Sequence, residues 1–278
     1  MITCCNLICG CIATTYAITG QPAMALLFIV LGAAFDFFDG MTARLLNVSS
    51  EIGKELDSLA DDVTFGVAPS AIIFYELQVL DSPLRSLNFQ LSTVNYQLST
   101  IIPYLAFIVA AFSAVRLAKF NLDTRQTTSF IGLPTPANAL FWASLIAGFG
   151  PVLEQYGWFS LLIIIGIFLS SWILVAEIPM FALKFKHWGF RGNEIKYLFI
   201  AFSALVLITT VAVGIVTGQT NLCYSGFSII IVAYVLTSLA VDKLIQNIIF
   251  NFQFSIFNER RRLHAQSDCR GTASSRGR

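Results

Sequence analysis

Four aspartates stand close together in a chain that is otherwise strongly apolar. Asp36 and Asp39 are three residues apart, and Asp57 and Asp61 are four residues apart. On an α-helix, each of these spacings puts both side chains on one face. The two pairs belong to consecutive apolar segments joined by a short turn. The two helices are therefore expected to be antiparallel neighbours whose carboxylates converge near one end of the bundle.

The chemistry that fits such a group is the binding of divalent cations. Four ionised carboxylates at one place repel one another and lose hydration. Protonation would relieve the repulsion, and so would two bound metal ions. Oxygen ligands alone suit Mg²⁺ or Mn²⁺, whereas zinc sites favour histidine and cysteine. The chain has only two histidines, His187 and His264, so a histidine-based metal site is not expected.

Small residues and an arginine accompany the aspartates. Gly40 and Gly53 each stand within four residues of an aspartate, and small residues let a ligand approach the backbone closely. Arg44 presents a fixed fork of donors that fits a phosphate. Together with two metal ions, this pattern indicates a diphosphate site. The alternative for Arg44 is an anchor at the membrane surface that pairs with Glu51 or Glu55.

The composition predicts an all-α polytopic membrane protein. Hydrophobic residues make up 56% of the 278 positions and charged residues 12%, about half the charged share of soluble domains. A membrane-spanning helix needs about 20 mostly apolar residues. Eight such segments are predicted, at 3–19, 22–45, 58–77, 101–121, 135–153, 157–182, 196–217 and 223–242. The net charge of +1 gives no indication of a nucleic-acid partner.

The positions of the basic residues predict the orientation in the membrane. With eight spans both termini lie on the same side, and Arg85 is the one Lys or Arg of 17 on the opposite side. Because Lys and Arg collect in cytoplasmic loops, both termini and the aspartates are predicted to face the cytoplasm, in the cytoplasmic (inner) membrane. Residues 1–245 are predicted to form one membrane domain. Residues 246–278 form a polar, basic tail with a composition typical of disorder.

The segment DFFDGMTARLLNVSSEIGKELDSLAD, residues 36–61, resembles the signature of the CDP-alcohol phosphotransferase family. It matches every position of the pattern D-x2-D-G-x2-A-R-x8-G-x3-D-x3-D. The resemblance implies a six-helix core, to which this chain adds two helices, and two Mg²⁺ or Mn²⁺ ions. It also implies attack by an alcohol on the β-phosphorus of a CDP-activated donor, with release of CMP.

The resemblance also implies roles for individual residues. Asp61 is expected to be the general base that takes the proton of the alcohol. The expected metal ligands are Asp36, Asp39, Asp57 and Asp61. The expected CDP-binding residues are Asp39, Gly40, Ala43, Arg44, Gly53 and Asp57.

Four further segments are similar to the phosphatidylserine synthase branch of the family. They are NLICG at 6–10, DSLADDVTFGVAPS at 57–70, RLAKFN at 116–121 and FIGLPTPANA at 130–139. The similarity implies CDP-diacylglycerol as donor, L-serine as acceptor, a site at the lipid bilayer, and a homodimer by analogy. Met1 stands almost directly at the first span, so little besides Asn6 is expected to approach the nucleotide, as in a truncated or atypically started chain.

Basic residues at the end of the fourth span are the expected contacts of the acceptor. Free serine carries a carboxylate, which calls for a cation on the cytoplasmic side. Arg116 is predicted to contact serine or a phosphate, with Lys119 and Arg125 as secondary contacts. The alternative for all three is an ordinary basic residue at the cytoplasmic end of a helix.

Two other functions are consistent with the aspartates. The same enzyme class could use glycerol 3-phosphate, an inositol phosphate or another small alcohol, although a phosphorylated acceptor would call for more clustered arginines. A cation-coupled transporter would also place acids within the membrane. Transporters of that kind often show two related halves, and the sequence contains no second cluster of aspartates.

Overall fold

The protein is a bundle of apolar helices in the computed structural model. The structure describes residues 2–46, 50–86, 101–122, 130–153, 156, 158–180, 189 and 193–242. The helices of the first half are α1 (Ile2–Ile18), α2 (Pro22–Leu46), α3 (Glu51–Asp62), α4 (Ala68–Ser86) and α5 (Phe107–Leu122). Those of the second half are α6 (Thr135–Leu153), α7 (Phe159–Val175) and α8 (Glu194–Thr217), followed by helical residues 226–242.

The chain divides into two compact units, Met1–Val235 and Leu236–Arg278. The functional residues discussed below belong to the first unit. Of the second unit, the structure describes residues 236–242, which are helical. The predicted tail, 246–278, lies outside the described residues, and the boundary at residue 245 stays a prediction.

The predicted all-α polytopic membrane fold is confirmed. Five helical segments in the described part of the chain are long and apolar enough to cross a membrane: Pro22–Leu46, Glu51–Leu80, Ile102–Leu122, Glu194–Thr217 and Thr220–Asp242. The apolar helices Ile2–Ile18 and Phe159–Val175 are shorter, with 17 residues each. At 1.5 Å per residue each rises about 26 Å, less than the roughly 30 Å of a bilayer core. The count of eight spans stays a prediction.

The third predicted span, 58–77, is part of a longer continuous helical segment, Glu51–Leu80. Helix α3 begins after Ser50, whose side chain accepts a hydrogen bond from the Gly53 N–H and so caps the helix. A π-helical turn, Val63–Val67, connects α3 to α4, and the Ala68 N–H donates to the Val63 carbonyl five residues earlier. The sequence pattern did not predict this wider turn. π-Helical turns often occur at functional sites, and this one directly follows the second pair of aspartates.

Small residues allow the first helices to pack closely on the π-helical turn. A Cβ at Gly10 of α1 would stand 2.9 Å from the Thr64 backbone, and one at Gly32 of α2 would stand 2.6 Å from the Thr64 Cγ2. The Thr64 hydroxyl donates to the Asn6 carbonyl at 3.0 Å. The buried core extends from Phe65 of the π-helical turn through α4, α6 and α7, and Phe65 and Trp142 are among its largest enclosed side chains. This packing fixes α2 and α3 relative to each other.

Two short strands pair the segment before α6 with the segment after α7. Strand β1 (Phe130–Ile131) pairs antiparallel with β2 (Pro179–Met180). Gly132 follows β1 with φ of 75°, a left-handed conformation that favours glycine, and its N–H donates to the Ile178 carbonyl at 2.9 Å. The span predicted at 157–182 therefore ends early, at Val175. Ala176 is extended, and Ile178 directly precedes Pro179, a position that avoids the helical region.

Candidate active site

The two pairs of aspartates lie on facing helices, as their spacing predicts. Asp36 is on α2, and Asp57 and Asp61 are on α3. One carboxylate oxygen from each of these three side chains lies within 4.8 Å of the other two. All three residues are half-buried, so the carboxylates are partly shielded from water and still accessible. The structure thus brings three of the four predicted ligands together.

Asp39 is outside this group of three but close to it, since its charge interacts with those of Asp36 and Asp57. Its Oδ2 accepts a hydrogen bond from the Thr3 hydroxyl on α1. Thr3 is buried, with 8% of its surface exposed, so the contact fastens α2 to the beginning of the chain. Asp39 is one helical turn from Asp36 and can act beside it. Its assignment as a metal ligand stays a prediction.

Asn6 positions Asp61. The Asn6 side chain is fully enclosed, and its Nδ2 donates to the Asp61 Oδ1 at 2.9 Å. A Cβ at Gly32 would stand 2.9 Å from the Asn6 Oδ1, so the amide is held between α2 and α3. This hydrogen bond leaves the second oxygen of Asp61 for other partners.

Replacing Asn6 with alanine is expected to slow turnover of the enzyme proposed below by about 10- to 100-fold. The hydrogen bond to a charged carboxylate is lost, and such a bond contributes roughly 1.5–3 kcal/mol. Steady-state kinetics would show a fall in kcat larger than the change in either KM, because Asn6 orients Asp61 and does not reach the acceptor.

Cys9→Ala is the matched control for this variant. Cys9 is buried one turn further along α1, with 7% of its surface exposed. It is a free thiol and forms no hydrogen bond to an aspartate among the described residues, so its removal is expected to leave the carboxylates in place. An Asn6→Ala variant with the kinetics of Cys9→Ala would show that the hydrogen bond has no role in orienting Asp61.

The small residues and Arg44 lie at the exposed end of α2 and the start of α3. The Arg44 Nε donates to the Gly40 carbonyl at 2.8 Å. A Cβ at Gly40 would meet a single neighbouring atom within 4 Å, the Arg44 Nη2, so open space borders this glycine. Among the described residues, Arg44 forms no ion pair with Glu51 or Glu55. The anchoring pair considered as an alternative is therefore not formed here.

The beginning of α3 is fastened to the end of α5. The Lys54 Nζ donates to the Asn121 carbonyl at 3.1 Å, and the Asn121 Nδ2 donates to the Ser58 hydroxyl at 2.8 Å. Ser58 directly follows Asp57, so these bonds set the position of that aspartate relative to α5. The sequence pattern did not single out Lys54, Ser58 or Asn121.

Arg116 is buried, and its neighbour Lys119 is exposed. The Arg116 side chain has 7% of its surface exposed, and its Nε has no hydrogen-bond partner among the described residues. Its charge interacts with that of Asp61, and its guanidinium carbon lies 5.9 Å from the centre of the Phe120 ring. A basic residue at the membrane surface keeps its charge in water, so burial distinguishes Arg116 from an ordinary helix-end cation. Arg125 lies outside the described residues.

Comparison with known proteins identifies the family of this chain. Residues 1–181 match the model of the CDP-alcohol phosphatidyltransferase family. The chain belongs to the CDP-alcohol phosphatidyltransferase family. The predicted resemblance is thereby confirmed, and the family match includes both pairs of aspartates and Arg116.

Several curated members of the family are similar to this chain, and each is named CDP-diacylglycerol–serine O-phosphatidyltransferase. The Bacillus subtilis protein is 35% identical over 194 residues, which cover 70% of this chain and 92% of the relative. The Mycobacterium leprae protein is 30% identical over 79% of this chain and 70% of the relative. The Saccharomyces cerevisiae protein is 40% identical over 44% of this chain and 41% of the relative.

The three converging carboxylates form a set of ligands that fits a divalent cation. The oxygens of Asp36, Asp57 and Asp61 are close enough for one ion to contact all three. They are hard ligands, of the kind that Mg²⁺ and Mn²⁺ prefer. The three acids are crowded in a half-buried place, where a bound cation would offset their mutual repulsion.

The contacts of Thr3 and Asn6 with the aspartates were not predicted, although the sequence contained an indirect sign of them. Asn6 and Thr3 are polar residues in an apolar helix, which calls for a polar partner within the bundle. The partner could not be named, because α1 can present either residue to α2 or to α3 depending on its rotation. The structure resolves the choice: Thr3 contacts Asp39 and Asn6 contacts Asp61.

Proposed function

We propose that the protein is a phosphatidylserine synthase. It transfers the phosphatidyl group of CDP-diacylglycerol to the hydroxyl of L-serine and releases CMP. The observation that carries the chemistry is the convergence of the Asp36, Asp57 and Asp61 oxygens within 4.8 Å. The relatives are named as serine O-phosphatidyltransferases, which supports serine as the acceptor.

The carboxylates have two tasks in this proposal. Asp36, Asp39, Asp57 and Asp61 would hold two divalent cations, Mg²⁺ or Mn²⁺, which neutralise the diphosphate of the donor when bound. The pocket for the CDP group is formed by residues near the exposed ends of α2 and α3. Its members are Asp39, Gly40, Ala43, Arg44, Gly53 and Asp57.

Asp61 acts as general base on the acceptor. The serine hydroxyl oxygen forms a bond to the β-phosphorus, and its proton passes to the free oxygen of Asp61. The bond between the β-phosphorus and the oxygen of CMP breaks, and CMP leaves with that oxygen. Asn6 holds the other oxygen of Asp61 at 2.9 Å, so the carboxylate is oriented before the substrate arrives. Orientation of this kind lowers the entropic part of the barrier.

Arg116 binds the acceptor or a phosphate in this proposal. Its guanidinium is buried, it has an unpartnered Nε, and it lies close enough to Asp61 for their charges to interact. A carboxylate bound there would place the serine hydroxyl on the side of the general base. Lys119 and Arg125 stay predicted secondary contacts.

Arg116→Met is expected to raise the KM for L-serine by at least about tenfold. Methionine keeps much of the apolar length and removes the charge-assisted hydrogen bonds, which contribute roughly 1.5–3 kcal/mol each. Initial rates of CMP release at saturating CDP-diacylglycerol would measure the effect. A rise in the KM for CDP-diacylglycerol instead would assign Arg116 to a phosphate.

Lys119→Met is the comparison variant for a secondary contact. Lys119 is one turn further along α5 and exposed, so its removal is expected to raise the KM for L-serine far less than Arg116→Met does, by about twofold at most. An Arg116→Met variant with both KM values unchanged would remove Arg116 from substrate binding.

The membrane context supports a lipid donor. The helices that carry the site are apolar and long enough to cross a bilayer, so the acyl chains of CDP-diacylglycerol can stay in the membrane while its head group reaches the aspartates. The cytoplasmic membrane, the cytoplasmic orientation of the site and a homodimer are further parts of the proposal.

A CMP-release assay tests the proposed function. Purified protein in detergent is supplied with CDP-diacylglycerol and a divalent cation, with and without L-serine. Serine-dependent release of CMP and formation of phosphatidylserine are expected. Competition among unlabelled serine, glycerol 3-phosphate and inositol phosphate in the same assay identifies the acceptor. Release stimulated by one of the other alcohols and not by serine would keep the enzyme class and replace the acceptor.

A further inference from the structure

Asp62 is an acid beside the site that the proposed mechanism does not use. It is half-buried, and its Oδ1 is enclosed without a hydrogen-bond partner among the described residues. A Cβ at Gly66 would stand 2.7 Å from this oxygen and 3.2 Å from the Ser113 Cβ. The Asp62 carboxylate therefore lies where the π-helical turn meets α5, and the absence of a side chain at Gly66 leaves room for it.

Two polar groups of α5 share this region. Ser113 is fully enclosed, and its hydroxyl has no partner among the described residues. Arg116 follows three residues later, on the same face of the helix, and its Nε is equally unpartnered. Buried polar groups in native proteins are nearly always hydrogen-bonded. A carboxylate oxygen, a hydroxyl and a guanidinium Nε, each enclosed without a hydrogen-bond partner among the described residues, thus indicate the place of a polar ligand between these facing segments.

The position of Asp62 relative to Asp61 indicates on which side of Asp61 such a ligand would bind. Successive residues of an α-helix point about 100° apart. Asp61 contributes to the carboxylate group with Asp36, whereas Asp62 lies against Gly66 and the Ser113 side of α5. A molecule bound between Asp62 and Arg116 would therefore stand beside the general base, on the side away from the Asp36 carboxylate.

We propose that Asp62 binds the ammonium group of an amino-acid acceptor whose carboxylate is bound by Arg116. This inference rests on the proposed function and names the feature of serine that the site selects. A free amino acid is a zwitterion, and one anion and one cation on facing segments match its two charges. Neutral polyols and glycerol 3-phosphate have no ammonium group, so they cannot form the Asp62 contact. Asp62 is a binding residue that determines specificity, and the proton transfer stays with Asp61.

The test compares L-serine with 3-hydroxypropionate, which is serine without its amino group. The purified full chain and Asp62→Asn are assayed for CMP release from CDP-diacylglycerol. 3-Hydroxypropionate is measured both as acceptor and as competitive inhibitor. Asp62→Asn is expected to raise the KM for L-serine by about tenfold or more. The inhibition constant of 3-hydroxypropionate and the KM for CDP-diacylglycerol are expected to change by about twofold at most, because neither molecule has an ammonium group.

Two companion variants separate recognition from folding. Glu51→Gln removes an exposed carboxylate at the start of the same helix and is expected to leave all constants unchanged. Gly66→Ala keeps the acid but places a methyl group 2.7 Å from its Oδ1, which displaces the carboxylate. Gly66→Ala is expected to raise the KM for L-serine while the inhibition constant of 3-hydroxypropionate stays nearly unchanged. This variant tests the ammonium contact if thermal unfolding shows that Asp62→Asn is not folded.

The outcomes separate this inference from the proposed function. Serine-dependent CMP release by the unmodified protein with equal losses for serine and 3-hydroxypropionate in Asp62→Asn would overturn the ammonium contact alone. An unchanged serine KM in the folded variant would do the same. No serine-dependent release by the unmodified protein would overturn the proposed function and this inference with it. A selective loss for serine supports both.

Discussion

Asp61→Asn is expected to reduce serine-dependent CMP release by at least about 10²–10⁴-fold, the contribution typical of a general base. Asparagine has nearly the same shape, and its amide oxygen can still accept the hydrogen bond from the Asn6 Nδ2, which is 2.9 Å from Asp61. What is lost is the negative charge and the ability to take a proton. The measurement is kcat with saturating CDP-diacylglycerol and L-serine.

Donor binding is expected to survive this substitution. Binding of CDP-diacylglycerol to the folded state raises the thermal unfolding temperature, by an amount that grows with the logarithm of its affinity. This rise is expected to be largely retained in Asp61→Asn. Glu55→Gln is the matched control, since it removes an exposed acid from the same helix. Substantial remaining turnover would remove Asp61 as the base. Recovery of the rate at raised Mg²⁺ or Mn²⁺ would assign Asp61 to metal binding alone.

Removal of divalent cations by EDTA is expected to abolish CMP release, and added Mg²⁺ or Mn²⁺ is expected to restore it. Without a cation, the Asp36, Asp57 and Asp61 carboxylates face a diphosphate of the same sign within a half-buried site. Metal stabilisation of the transition state contributes several kcal/mol, which corresponds to about 10³-fold or more in rate. CMP release at a series of free cation concentrations gives the activation curve, and the two metals can be compared directly.

Asp36→Asn tests whether the cation binds at the group of three carboxylates. One ligand charge is lost, so the activation curve is expected to move to higher cation concentration, by about tenfold or more. Glu51→Gln again serves as control, because its carboxylate is exposed and outside the group. Activity that survives EDTA, or an Asp36→Asn curve that coincides with that of the control, would contradict a metal site at these residues.

The class of fold and the pairing of the aspartates on helix faces could be predicted from the amino-acid sequence. Spacings of three and four residues put each pair of aspartates on one face because the geometry of an α-helix is local. A chain with 56% hydrophobic and 12% charged residues, arranged in apolar runs of about 20 residues, is a membrane protein because runs of that length and composition match the hydrocarbon core of a bilayer. The long polar start of α3 was less predictable, because Glu51–Asp62 is helical through its Ser50 cap and its contacts with α5 and not through an apolar run.

The tertiary structure decided which helix faces meet, and so which side chain has which partner. Thr3 contacts Asp39 and Asn6 contacts Asp61 only because α1 packs with one particular rotation against α2 and the π-helical turn. The burial of Arg116 and the pairing of Phe130 with Met180 likewise join residues far apart in the chain. Periodicity reports the face of a single helix. It carries no information on which other helix covers that face, and this choice determines the surroundings of the aspartates.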